Sequence, residues 1–148
     1  MHHPPTGDHH RLLRFATAGL DVHHHTALPE QEPVSRAELD ALHAHCVALF
    51  ALLDTHTGTT RPRAPAEADH LHAARIRIWQ TCEALHGAYH RAPRADGRRP
   101  TREACALRLP EGAPDMAICQ RHTATAGRVR RIATPSELRG TPTASSRT

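Results

Sequence analysis

The sequence predicts an all-α protein, an up-down-up-down four-helix bundle followed by a disordered C-terminal tail. Three observations predict it. Apolar residues recur at spacings of three and four along two long stretches, 35–58 and 64–93, which is the period of one helix face. Ala and Leu lead the apolar set and aromatics make up only 3% of the chain, a composition that favours helix over strand. No stretch shows the sustained period-two alternation of a half-buried strand.

The first element is DHHRLLRFATAGLDVHHHTALP, 8–29. Asp8 is a candidate N-cap, Leu12, Leu13, Phe15, Ala16 and Leu20 supply apolar positions, and Gly19 weakens the helix. The second is SRAELDALHAHCVALFALLDTHTG, 35–58. Ser35 and Glu38 have capping-box spacing, Leu39, Leu42, Cys46, Leu49 and Leu53 form the stripe, and Gly58 follows the last turn.

The third is APAEADHLHAARIRIWQTCEALHGAYHRAP, 64–93. Pro65 suits the first turn, where a missing N–H costs nothing, and Pro93 ends the helix. One stripe runs Leu71, Ala74, Ile78, Cys82, Leu85, Tyr89; a second, about 100° around, runs His72, Ile76, Trp79, Glu83, His86, His90. A face that wide suits a helix with two neighbours, and the short linker before it favours antiparallel packing. The fourth is PDMAICQRHTATAGRVRRIATP, 114–135, with Met116, Cys119, Thr123, Ala126 and Val129 on one side. Residues 94–113 read as a crossover or surface loop with ALRL locally extended. The organisation expected is one domain over 8–133, with disordered termini at 1–7 and 134–148.

All nineteen basic residues are arginine, and the chain has neither lysine nor asparagine. Both of those have codons beginning AA, so the composition points to a high-GC genome and part of it is mutational bias. Residues 1–56 hold three Arg against seven acids, a net of −4, while 57–148 hold sixteen against eight, a net of +8. A solvated basic tail accounts for this, and a nucleic-acid surface is the sharper alternative. RVRR is its best patch, with Arg128, Arg130 and Arg131 as candidates, and on a helix Arg121, Arg128 and Arg131 would lie near one another to grip phosphates, although no aromatics interleave. No signal peptide and no long apolar run occur, so a cytoplasmic protein without membrane contact is expected. The four cysteines, Cys46, Cys82, Cys105 and Cys119, lack C-x-x-C spacing and read as thiols.

No Gly-rich phosphate loop, nucleophile elbow or H-E-x-x-H is present. The chemistry-bearing residues are histidines. Cys82, His86 and His90 stand four apart, but the ends of that row differ in height by about 12 Å. One ion takes neighbouring pairs only. Glu83/His86 has the E-x-x-H spacing by which a helix offers a carboxylate and an imidazole to a di-iron centre, and Asp40/His43 repeats the offset. With a turn near residue 61, residue 40 lies level with about 82, so the pairs face each other. The metal candidates are therefore Glu83, His86, His90, Asp40 and His43. Asp21/His24 and Cys119/His122 are further pairs on the outer helices. Against this, fifteen histidines generate such offsets by chance, and histidines bordering a core are ordinarily hydrogen-bonded to neighbours. Cys46, Cys82 and Cys119 fall on apolar faces, where thiols behave as small hydrophobes.

Three stretches, RAELDALHAHCVALFALLDTHTG, ARIRIWQTCEALHGAYHRAP and LPEGAPDMAICQRH, together resemble a family of small proteins from high-GC actinobacteria classed as a domain of unknown function. The resemblance covers most of 12–132 and implies no activity, cofactor or catalytic residue. The expectation is thus a helical-bundle protein acting by binding or assembly rather than catalysis, with no cofactor required. Self-association or a protein partner would use the 72–90 helix face. The alternatives are a metal-binding helical protein using acid/His pairs, then a basic nucleic-acid accessory protein.

Overall fold

A computed structural model describes residues 6–25, 33–93 and 117–140. Cys105 and ALRL, expected in a crossover or surface loop, Met116, and the last eight residues lie outside them. The described residues are helical, with no strand among them: α1 Thr6–His25, α2 Arg36–Thr60, α3 Pro65–Arg91, α4 Ile118–Ile132 and α5 Pro135–Arg139. The chain divides into two compact units, 1–33 and 34–148. In the first, α1 continues through Gly19, and Leu12, Leu13, Phe15, Leu20 and Val22 are exposed along it.

In the second unit, the Ser35 hydroxyl accepts the Glu38 N–H at 3.2 Å and starts α2 as its sequence predicts. The helix passes Gly58, though, and ends two residues later, with Arg61 N–H donating to Thr57 O at 3.1 Å. The turn therefore spans 61–64 and Pro65 opens α3. The pairing differs from that expected of a turn at 61. Phe50 meets Trp79 and Asp54 meets Arg75, so α2 and α3 are antiparallel with residue 43 level with 86 and residue 40 level with Tyr89. Helix α4 sets Cys119 beside His86 and His90, and Arg128 beside Asp54. It runs antiparallel to α3 and parallel to α2. Within this unit α2, α3 and α4 therefore alternate in direction.

The buried face of α2 differs from the expected leucine stripe. Leu42 is exposed, while Arg36, Leu39, Asp40, His43, Phe50 and Thr57 are buried. The reason is tertiary: α2 meets α3 on one flank and α4 on the other, and the sector facing both carries Asp40 and His43. On α3 the two predicted stripes merge, burying Ala68, Arg75, Ile76, Trp79, Cys82 and Tyr89. Glu83 is exposed, one residue past Cys82 and about 100° around the helix. Apolar packing forms two clusters. Leu39, Tyr89 and Ile118 make one; Phe50, Trp79, Cys82 and Val129 make the other. The first five residues after Thr134, expected within the disordered terminus, form α5. The Thr134 hydroxyl accepts Glu137 N–H at 3.2 Å, Glu137 accepts Thr134 N–H at 2.7 Å, and Leu138 packs on the second cluster. That capping box was present in the sequence as T-P-S-E.

Two polar chains cross the unit between the helices. In one, Arg128 Nε donates to Asp54 Oδ2 at 2.9 Å, Arg75 pairs with Asp54 Oδ1, and Arg75 Nε donates to His72 Nδ1 at 2.9 Å. With Nδ1 accepting, neutral His72 carries its proton on Nε2, which donates to Glu137 Oε1 at 3.0 Å. The other chain leads to the candidate site.

Candidate metal centre

Three donor atoms converge where α3 meets the first turn of α4. His90 Nε2 lies 2.9 Å from His86 Nε2, and Cys119 Sγ lies 3.4 Å from His86 Nε2 and 3.5 Å from His90 Nε2. Among the described residues they are the one His/Cys/Asp/Glu group of three whose ligand atoms all fall within 4.8 Å. All three side chains are half-buried. His86 and His90 are neighbours because residues four apart stack on a helix face. Cys119 joins them because it is the second residue of α4, whose N-terminal turn abuts the end of α3.

The distances match the chemistry. Zinc-like ions bind imidazole nitrogen at about 2.0–2.1 Å and thiolate sulfur at about 2.3 Å, which sets the edges of a tetrahedron near 3.3 Å for N···N and about 3.6 Å for N···S. The two N···S separations are already close to those edges, and the N···N pair needs to open by about 0.4 Å.

Behind the ligands lies a histidine pair, His43 buried and His122 half-buried. His43, fully buried, stands 2.9 Å from His122 through Nε2 and Nδ1. Arg121 Nε donates to His43 Nδ1 at 3.1 Å, and Arg121 pairs with the Asp40 carboxylate and donates to the Asp40 carbonyl at 3.1 Å. The His122 ring lies against Trp79, with centroids 4.6 Å apart and planes 18° apart, and against His86, at 4.2 Å and 15°. Desolvation disfavours the charged imidazoles, and neighbouring cations add to it. His43 is lowered to about 3 by burial, then Arg121, His122 and His86. His86 is lowered to about 4 by burial, then His122 and His90, and His122 is lowered by burial and His90. Burial pushes the Cys82 thiol up to about 12 and raises Cys46.

Of the residues singled out from sequence, His86 and His90 come together. His43 is level with His86, its ring centroid 6.1 Å away, yet its nitrogens are engaged by Arg121 and His122. The Asp40 carboxylate is engaged by Arg121, and Glu83 is exposed, so the two E-x-x-H-like pairs do not converge on one point. Cys82 sits in the core and not with His86. The basic patch separates too: Arg128 is paired with Asp54, and Arg121 is buried. Arg130 and Arg131 are exposed in the last turn of α4. Ile76 and Trp79 of the 72–90 face are buried within the chain. Sequence reading noted Cys119 and His122 as a pair on their helix but not as partners of His86. Their shared signal was a helix start followed by C-x-x-H, which carries little information without the register between helices.

No helix of the described residues is long and apolar enough to cross a membrane. No curated protein and no solved structure matches the chain. A family does match, over residues 1–148 and so over every helix and every residue of the site; the chain belongs to the family of unknown function DUF6238.

Proposed function

We propose that this chain binds one zinc-class transition-metal ion through His86 Nε2, His90 Nε2 and Cys119 Sγ. The observation that carries the reading is the convergence of these three atoms, from two helices, within 4.8 Å. The donor set selects the ion. Two imidazoles and a thiolate suit Zn²⁺ and its borderline neighbours, whereas Mg²⁺ and Ca²⁺ require oxygen ligands. The acid/His version of a metal site loses its support, because Asp40 serves Arg121 and Glu83 faces outward. Assembly through the 72–90 face has less support than metal binding, since its large apolar side chains are spent inside the chain.

Elemental analysis of untagged protein, purified without a nickel column, tests the proposal. Zinc near one equivalent per chain is expected, falling to trace in Cys119→Ser and in His86→Ala/His90→Ala. Substoichiometric Zn, Fe, Ni, Co and Cu in the wild type, persisting after added Zn²⁺ and gel filtration, would overturn it.

A further inference from the structure

We propose that His122 is the positioning residue of this metal site, holding the His86 ring by stacking while Arg121, through His43, sets the tautomer of His122. The inference rests on the metal-binding reading above. It begins at Arg121, whose guanidinium stays protonated and can only donate. Its Nε donates to His43 Nδ1 at 3.1 Å, so that nitrogen is the acceptor and neutral His43 carries its proton on Nε2. That proton has one place to go, His122 Nδ1, 2.9 Å away. His122 Nδ1 is thereby an acceptor, and neutral His122 must carry its own proton on Nε2. Asp40 holds the head of the chain by accepting from Arg121 with both its carboxylate and its carbonyl.

The same bond fixes one edge of the His122 ring, and its two faces are fixed by α3. Trp79 and His86 are seven residues apart, about 10 Å along the helix at 1.5 Å per residue. His122 fills that gap, nearly parallel to both, at 4.6 Å from one and 4.2 Å from the other. His86 is thus held on one face by His122 and met edge-on by His90, with centroids 4.3 Å apart at 88°. Its Nε2 is left pointing at His90 and Cys119. Ligating histidines are usually oriented by a hydrogen bond to the second ring nitrogen. Here the described contacts of His86 run through Nε2 and the ring, and a stacked neutral imidazole takes over the orienting task. His122 itself lies outside the ligand group, so it acts through His86.

Co²⁺ titration of the full, untagged chain tests this, read by the thiolate-to-cobalt charge-transfer band and the d–d bands. His122→Phe and His122→Leu both fill the space, but only Phe keeps a flat ring between Trp79 and His86. His122→Phe is expected to bind Co²⁺ within about three-fold of wild type with the same d–d envelope, and His122→Leu to bind about 10–100-fold more weakly with shifted bands. Circular dichroism establishes that each variant is folded. A folded His122→Leu that matches wild type in affinity and spectrum overturns the positioning role and leaves the metal site standing. A wild type with no charge-transfer band overturns both. If the variants do not fold, imidazole ¹⁵N spectra of the wild type decide: His43 and His122 are both expected in the Nε2–H tautomer, and Nδ1–H on His122 overturns the proposal.

Discussion

His43 Nε2 lies 2.9 Å from His122 Nδ1, between two helices that are 79 residues apart in sequence at that point. The bond requires the accepting His122 to be neutral, Arg121 Nε donating to His43 Nδ1 requires the same of His43, and the chain has built around them an environment that keeps them so. Arg121 presses a permanent positive charge against His43, while His86 and His90 face the pair from α3 and Asp40 balances Arg121 from α2.

That arrangement makes the metal-free protein sensitive to acid. The folded values of His43 and His86, about 3 and about 4, lie below the ordinary 6.5. As pH falls through 6.5 the unfolded chain takes up protons that the folded chain refuses. The stabilising contribution is therefore complete above about pH 7 and is lost progressively between 6.5 and the folded values. By pH 5 the loss is about 2 kcal/mol for His43 alone. Urea unfolding of metal-free protein at pH 8, 7, 6 and 5 is expected to show a flat midpoint above 7 and a falling one below. His43→Gln should flatten the acid limb. A midpoint constant from pH 7 to 5 contradicts the reading.

Asp40 and Arg121 form a buried ion pair, 2% and 7% exposed. Removing one partner leaves the other charged and desolvated, which costs about 3–5 kcal/mol. Asp40→Leu is expected to lower stability by that amount. The double change Asp40→Leu/Arg121→Met should recover a large part of it, because no charge remains stranded. The measurement is a double-mutant cycle by urea denaturation. Strictly additive losses would show that the pair contributes no coupling.

The three described cysteines differ in environment in a way that thiol mapping can read. Cys82 is fully buried with its thiol pushed up to about 12, and Cys46 is raised by burial. Cys119 is half-buried at a helix start beside two imidazoles. Iodoacetamide followed by peptide mass mapping at pH 7.5 is expected to label Cys119 at least ten-fold faster than Cys82, since the thiolate is the reactive species. One equivalent of Zn²⁺ should suppress that labelling. Equal rates at Cys119 with and without zinc would count against thiolate ligation.

The helices were legible because local signals decide them: Ser35 as a cap, Pro65 at a first turn, and apolar periodicity along 35–58 and 64–93. His86 and His90 were legible as a pair for the same reason, since i and i+4 share a face whatever surrounds the helix. What needed tertiary register was not. The turn spans 61–64, and the side-chain pairs across it, Phe50 with Trp79 and Asp54 with Arg75, set Asp40 level with Tyr89 and not with 82. Cys119 reaches His86 across a connection that carries no periodicity. Arg121 read as a surface phosphate grip because hydropathy counts every arginine as solvated. It became a core residue only when Asp40 and His43 were found opposite it.

Trp79 supplies a built-in reporter for the site. It is the only tryptophan of the chain, and it is stacked on His122, which is stacked on His86. An ion at His86 Nε2 is therefore one intervening ring away from the indole. Paramagnetic Co²⁺ quenches an excited indole at that range, whereas diamagnetic Zn²⁺ acts only through the altered ring. Tryptophan emission is expected to fall on Co²⁺ addition and to saturate at one equivalent. Zn²⁺ added afterwards should restore it by displacement, because thiolate-containing sites prefer zinc to cobalt. In Cys119→Ser both effects should weaken about ten-fold or more in metal concentration, the loss expected for a missing ligand being at least that of an outer-shell partner. Quenching that rises linearly with Co²⁺ and never saturates would mean collision with solvent ions and no site beside His86.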